Sequence, residues 1–462
     1  MEYFMQKGSK ERDLTQGSVP KLLCVFSIPI IISNVFESLN ASINTMWVGR
    51  FLGNSALAAT ADANFIIFLM FSLVFGFGLA SSTFIGQYAG RQEMEGGRKV
   101  FGAAIGIVSL LSVVASIAGW YYSTFILRLL NTPQDVFTQA YAYLRVIFIA
   151  LPPNLILWII LLSLRGIGNS VMAMWYMALT VILDIILNPL LIGGVGGYFK
   201  LGIAGSAYAT AIANYVALTL QIVHLYIRNS PLCLRDAQLL YIFAPWKQIK
   251  RILLKGVPIC LQMVCLASSG LIMISFVNIE GTNVLAAYNV CQQLWMYLQL
   301  PFMAFSSAVG AMAAQNLGAG HWKRVFSINR WGLFISAFLG CIMLLLFWFF
   351  DDVIFRFFFH TADSSDVISN AKHIQNLASS SYLLFGLSTI VMATLRANGV
   401  VFLPLIFIFL AVYPVRMGFY YAFYNQLGGD AIWLSFPVGA IFCFVITYLY
   451  YLTKGWRKTT LM

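Results

Sequence analysis

Three carboxylates stand where apolar sequence gives them little reason to be. Of sixteen acidic residues, only Glu37, Asp62 and Asp184 fall inside long apolar runs. One carboxylate at the centre of a membrane helix costs ~2.5–3.5 kcal/mol on insertion scales, so such acids mark ion or proton pathways by default. Two of the three belong to polar stripes. Ser33, Glu37, Asn40 and Asn44 are spaced four, three and four apart, on one helical face. Thr180, Asp184 and Asn188 form a second stripe, and Ser206, Thr210 and Asn214 a third. Converging, they would enclose a hydrated pocket of carboxylate, amide and hydroxyl oxygens, hard ligands suited to Na+ or an exchangeable proton. The expected coupling residues are Glu37, Asn40, Asn44, Asp62, Asp184, Asn188 and Thr210, with Glu37, Asp184 and Asn188 as the Na+ ligands. A purely structural alternative pairs an acid with an internal arginine such as Arg145. Asp62, near the start of its run, reads equally well as a helix-end carboxylate.

A second, neutral constellation lies downstream. Gln262 on one run, and Tyr288, Asn289, Gln292 and Met296 on the next, could line an adaptable cleft for bulky ligands. Ordinary interhelical hydrogen bonding would use the same residue types. Other chemistries find no support. The seven cysteines form no CxxC pair, and the four histidines show no metal-ligand spacing. No GxxxxGK[ST] loop occurs, so ATP is not the expected energy source and no cofactor is expected beyond the coupling ion. A membrane-embedded enzyme would need a His, Cys or Ser constellation at the membrane face, and none is visible.

The elements that must position these residues follow from composition. The 462 residues are 60% hydrophobic and 10% charged, with a mean hydropathy of +0.83. Soluble domains carry about 25% charged residues, which excludes that class. The apolar runs are continuous rather than alternating, so they read as membrane helices and not barrel strands. Twelve spans are expected near 20–45, 57–82, 98–122, 136–163, 171–193, 203–228, 249–274, 283–310, 325–350, 371–396, 401–425 and 431–454. Of the 28 Lys and Arg, 21 fall on the side holding both termini, which the positive-inside rule makes cytoplasmic. That asymmetry also absorbs the net charge of +12 beside anionic headgroups, without a nucleic-acid partner. Residues 1–19 are polar, with no signal-peptide pattern.

The chain repeats itself. Pro29 matches Pro258, Ala58-Ala59 matches Ala286-Ala287, and Gly86-Gln87-Tyr88-Ala89-Gly90 matches Ala314-Gln315-Asn316-Leu317-Gly318. Leu164-Arg165 matches Leu395-Arg396, and all four offsets lie between 228 and 231. Six spans per repeat is even, so the halves share one orientation and should be related by a pseudo-twofold axis along the membrane normal. The expected organisation is a cytoplasmic segment 1–19, a six-helix lobe 20–228, a linker 229–248, a second lobe 249–454 and a tail 455–462.

These residues resemble the multidrug and toxic compound extrusion (MATE) family, most of all its bacterial DinF-like branch. The matching stretches include Trp47-Val48-Gly49-Arg50-Phe51-Leu52-Gly53-Asn54, Leu164-Arg165-Gly166-Ile167-Gly168-Asn169, Leu187-Asn188-Pro189 and Leu201-Gly202-Ile203-Ala204-Gly205. The resemblance implies an alternating-access antiporter of the bacterial inner membrane. It would export small organic, often cationic compounds against H+ or Na+, in contact with membrane lipids and with no obligate protein partner. Two departures from the family pattern stand out. Where many relatives carry an aspartate before the segment matching Thr45-Met46-Trp47-Val48-Gly49, this chain has Asn44, and an acid appears two turns earlier at Glu37. Where DinF-like relatives commonly read Asn-x3-Asp-Pro, this chain reads Asp184-x3-Asn188-Pro189. The alternative within the superfamily is a lipid-linked saccharide flippase, which favours a cationic cavity; the internal bases expected here are few, Arg145 and Arg416. A channel would need a filter-like loop, and none is seen.

Overall fold

Continuous apolar runs leave the backbone one solution in hydrocarbon, since every N–H and C=O must be satisfied within its own segment. The computed structural model describes residues 13–130, 132–194, 200–358 and 365–458, the side chains of 54, 55, 58, 61, 62, 65, 357, 358 and 365 excepted. Within these it is helical throughout, with no strand. Twelve helices are long and apolar enough to span a membrane: Val19–Leu52, Ile66–Gly90, Met94–Tyr121, Gln134–Gly166, Ser170–Gly193, Ile203–Ile227, Trp246–Ile279, Thr282–Gly318, Trp322–Phe349, Ser380–Ala397, Phe402–Leu427 and Asp430–Leu452. They are called the first to twelfth spans below.

Two spans depart from the continuous helices expected from sequence. The stretch 371–396 is two helices, Ser365–Ala378 and Ser380–Ala397, hinged at Ser379. The cause is local: in the run Ser379-Ser380-Ser381 the Ser381 hydroxyl donates to the Ala378 carbonyl, competing with the helical ladder. In the eleventh span, Ala411–Val415 forms a π-turn around Pro414, whose missing N–H cannot close an α-helical bond.

The helices sort into two compact units, one built on Ile28–Cys260 and the other on Thr15–Ser27 with Leu261 to the C-terminus. Each unit repeats one packing scheme. In the first, the fourth span lies against the second, third and sixth, and the fifth against the sixth. In the second, the tenth span lies against the eighth, ninth and twelfth, and the eleventh against the twelfth. The fourth span is the axis of its unit: Leu144, Ile159 and Leu161 are fully buried. The ninth span is the reverse, with Phe334, Phe338 and Leu345 more than half exposed, as a lipid-facing helix should be.

Loops add order at both ends. Residues Asp236–Phe243, inside the expected linker, form a 3-10 helix laid on the third span. Gln238 Nε2 donates to Glu95 at 3.1 Å, the Tyr241 hydroxyl donates to the same carboxylate, and Arg98 Nε donates to the Pro231 carbonyl at 2.9 Å. That carboxylate holds the Tyr241 hydroxyl above its ordinary pKa. The approach needs glycine, because a Cβ on Gly106 would meet the Ile242 carbonyl oxygen at 2.0 Å. In the second unit, Trp456 of the tail is fully buried against Trp322, Phe326 and Tyr451. Near the tenth span, Lys372 lies 2.6 Å from Asp352 and holds that carboxyl below the usual carboxylate range.

Candidate functional site

The fifth span carries Asp184 inward, leaving it 2% exposed. Thr210 of the sixth span donates its hydroxyl to Asp184 Oδ1 at 2.9 Å. The side chains of Asn40, from the first span, and Asn188 complete the hydrogen bonding of that carboxylate. Asn188 Nδ2 also donates to the Asp184 main-chain carbonyl at 2.9 Å. One turn along the first span, Asn44 Oδ1 accepts the Ser206 hydroxyl at 2.6 Å and also hydrogen-bonds with Tyr143, 2% exposed on the fourth span. Four spans of one unit thus meet at a single carboxylate, which supplies the negative charge while its neighbours supply hydroxyl and amide groups.

The cluster is not saturated. Asn40 Oδ1 and Asn188 Oδ1 are buried with no hydrogen-bond partner among the described residues. Buried polar groups are almost always paired in folded proteins, so open acceptors around a carboxylate invite a proton carrier, water or a cation. The donor set is all hard oxygen, which fits H+ or Na+ and not a soft metal. Among the described residues no group of three or more His, Cys, Asp or Glu gathers anywhere.

Glu37 is placed differently. It is half-buried, and the charge acting on it is that of Arg165, 5% exposed at the end of the fourth span. No described contact joins Glu37 to Asp184. The Arg165 Nε and Nη2 are buried without hydrogen-bond partners among the described residues. The arginine first considered as an ion-pair partner, Arg145, is engaged elsewhere. Its guanidinium sits 3.7 Å from the Trp120 ring centroid and donates to the Tyr141 hydroxyl at 3.1 Å. Stacking on an aromatic face offsets part of the cost of that charge without a carboxylate. The side chain of Asp62 lies outside the described residues.

The neutral constellation divides by face. Gln262 is 3% exposed and donates to the Val401 carbonyl at 3.2 Å, a helix-to-helix bond. Tyr288 is 1% exposed and packed among Trp295, Trp433 and Phe436, with its hydroxyl hydrogen-bonded to Gln292. Asn289 and Met296, seven residues apart, are exposed on the opposite face. Tyr143 and Arg165 are the two residues of this region that sequence reasoning did not single out for the site. Tyr143 is one aromatic among many, and Arg165 follows an apolar run as a loop residue would.

Twelve membrane helices, a duplicated packing scheme and a buried hydrogen-bonded carboxylate define a polytopic membrane transporter, and comparison with known proteins makes that specific. The MatE family profile matches residues 29–190 and 258–422, two stretches that begin 229 residues apart, the spacing of Pro29 and Pro258. The chain belongs to this family of multidrug efflux transporters. It is 32% identical over 446 residues to the probable multidrug resistance protein YoeA of Bacillus subtilis, covering 96% of each chain. It is 28% identical to the probable multidrug resistance protein YpnP of the same organism, over 98% of this chain and 99% of that one. Its fold matches that of an outward-facing multidrug resistance MATE family transporter of the MOP superfamily, with a TM-score of 0.86 at 22% identity, covering 98% and 100% of the two chains.

Proposed function

We propose that the protein is a secondary-active antiporter that exports amphipathic organic compounds, cationic ones among them, in exchange for H+ or Na+ by alternating access. The observation that carries this reading is Asp184: a fully buried carboxylate held by Thr210, Asn40 and Asn188, with unpaired amide oxygens beside it. Burial disfavours the charged carboxylate, and it is stabilised either by a proton or by a cation coordinated with those oxygens. Either occupant couples a gradient to the shape of the first unit. Asn44 tunes the cluster from the first span through Ser206 and Tyr143, and no organic cofactor takes part.

The export test uses purified protein in liposomes with pH and Na+ gradients imposed separately. Efflux should follow one gradient and vanish in Asp184→Asn; efflux indifferent to both gradients overturns the antiport reading. We assign the protein to the bacterial inner membrane with both termini cytoplasmic, supported by the 21-to-7 division of basic residues. A reporter fused after Lys200 should read periplasmic and one after Lys454 cytoplasmic. A periplasmic signal at Lys454 overturns that orientation.

A further inference from the structure

The second unit holds a buried charge that the coupling site does not use. Arg416 stands mid-way along the eleventh span, directly after the π-turn Ala411–Val415. Its guanidinium lies 3.5 Å from the Phe436 ring centroid. Its polar neighbours are the hydroxyls of Tyr288 and Tyr382, and no carboxylate is among them. Nε and Nη2 are buried with no hydrogen-bond partner among the described residues, while the residue as a whole is partly exposed. Tyr288 is hydrogen-bonded to Gln292, which extends the polar edge toward the exposed side of the eighth span. Two features mark the spot as built. π-Turns inside α-helices recur at functional sites. On the twelfth span Gly439 leaves room for the turn, because a Cβ there would meet the Ala411 carbonyl oxygen at 2.9 Å and Arg416 Cβ at 3.4 Å.

An arginine at mid-span without a counter-charge is expensive in a membrane, and aromatic stacking offsets only part of that cost. A planar guanidinium with free N–H edges is shaped for an oxyanion. We propose that Arg416 is an anion-binding subsite, completed by the Tyr288 and Tyr382 hydroxyls and Gln292, which takes the carboxylate of an exported amphipathic compound. The cargo class is then acidic or zwitterionic rather than purely cationic. This rests on the export reading for its cargo, while the site itself is tested by binding.

The test uses rhodamine 110 and rhodamine 123, which share one xanthene cation and differ in a free carboxylate against its methyl ester. Fluorescence polarisation on the full-length protein in neutral detergent should give a preference for the carboxylate of about tenfold or more, as for other charge-assisted hydrogen bonds to a desolvated group. Arg416→Gln should collapse that ratio to near one, and Arg416→Lys should keep part of it. A second measurement needs no variant: phenylglyoxal modification of Arg416, followed by mass spectrometry, should be blocked by rhodamine 110 and not by rhodamine 123. No preference in the wild type, a preference that survives Arg416→Gln, or protection by phosphatidylglycerol but not by the carboxylate dye would each overturn the proposal. Carboxylate preference with no gradient-driven export would leave this site standing and remove the antiport reading.

Discussion

The fifth and eleventh spans hold matching places in two six-helix repeats, yet one presents Asp184 and the other Arg416. The offset of 231 between Leu164-Arg165 and Leu395-Arg396 carries Asp184 to position 415. The π-turn just before Arg416 takes in one extra residue, which accounts for the remaining step. Each charge has surroundings chosen for its sign. The carboxylate is ringed by hydroxyl and amide groups, and the guanidinium lies on the Phe436 ring. Meanwhile the scaffold has stayed alike: Gln87 and its counterpart Gln315 are both buried, and the order of helix packing is the same in both units. Packing constrains a repeat everywhere, whereas a polar centre needs only its immediate neighbours to change. A duplicated fold can therefore hold one scaffold and two opposite sites.

The largest effect should come from removing the first unit's charge. Asp184→Asn keeps the shape and the hydrogen-bonding size but loses the ionisable group. Three bonds to a charged group are worth about 1.5–3 kcal/mol each, so gradient-driven efflux should fall by about a thousandfold or more. If Asp184→Asn pumps at the wild-type rate, the cluster is a packing feature and the contrast with Arg416 carries no division of labour.

Next in size is the electrostatic coupling of Glu37 to Arg165. Glu37→Gln leaves Arg165 buried without an opposing charge, which should lower stability by about 1–3 kcal/mol. The double variant Glu37→Gln/Arg165→Gln should recover more than half of that loss in thermal unfolding of the purified protein. Strict additivity of the two single variants would show that the charges do not interact. Arg165→Gln alone should cost as much as Glu37→Gln.

How far sequence went depends on the kind of contact involved. Helix number and the repeat were legible because both are written in long stretches: apolar runs and a near-constant offset. The stripe through Asn40 and Asn44, that of Asp184 and Asn188, and that of Ser206, Thr210 and Asn214 were each legible because i, i+4 spacing is a local property. What joins separate helices was not. Sequence grouped Glu37 with Asp184; in the structure the charge acting on Glu37 is that of Arg165, 128 residues away, which no local spacing announces. The break at Ser379 was likewise hidden, since a serine run is tolerated in a helix as often as it ends one. Tyr288 had the right chemistry for a cleft, but the aromatic partners that bury its ring, Trp295, Trp433 and Phe436, were not legible.

A smaller change sharpens the first-unit site. Thr210→Val is nearly isosteric and removes one hydroxyl donor from Asp184. Losing one hydrogen bond to the charged form costs about 1.5 kcal/mol and disfavours the bare carboxylate, so the concentration of coupling ion giving half-maximal efflux should fall about tenfold. An unchanged midpoint would place the ion away from Thr210. Thr210→Ser should remain close to wild type.

The smallest effect is expected at Asn44, where many relatives carry an acid. Asn44→Asp keeps the oxygen that accepts the Ser206 hydroxyl, so the local bond survives. The partners at this position, Ser206 and Tyr143, belong to the cluster around Asp184. Glu37 lies seven residues earlier, about 10.5 Å along the helix axis, where the charge acting on it is that of Arg165. A new carboxylate at position 44 therefore cannot reach the charge that Glu37 answers. In the Glu37→Gln background, Asn44→Asp should restore neither the thermal stability nor more than about twofold of the efflux rate. The reverse outcome is equally concrete. A fully active Glu37→Gln/Asn44→Asp protein would mean that the two positions are interchangeable suppliers of one charge, and that the acid has not moved to a different depth. A silent Glu37→Gln single variant would mean that Asp184 alone couples transport, leaving Glu37 to neutralise Arg165.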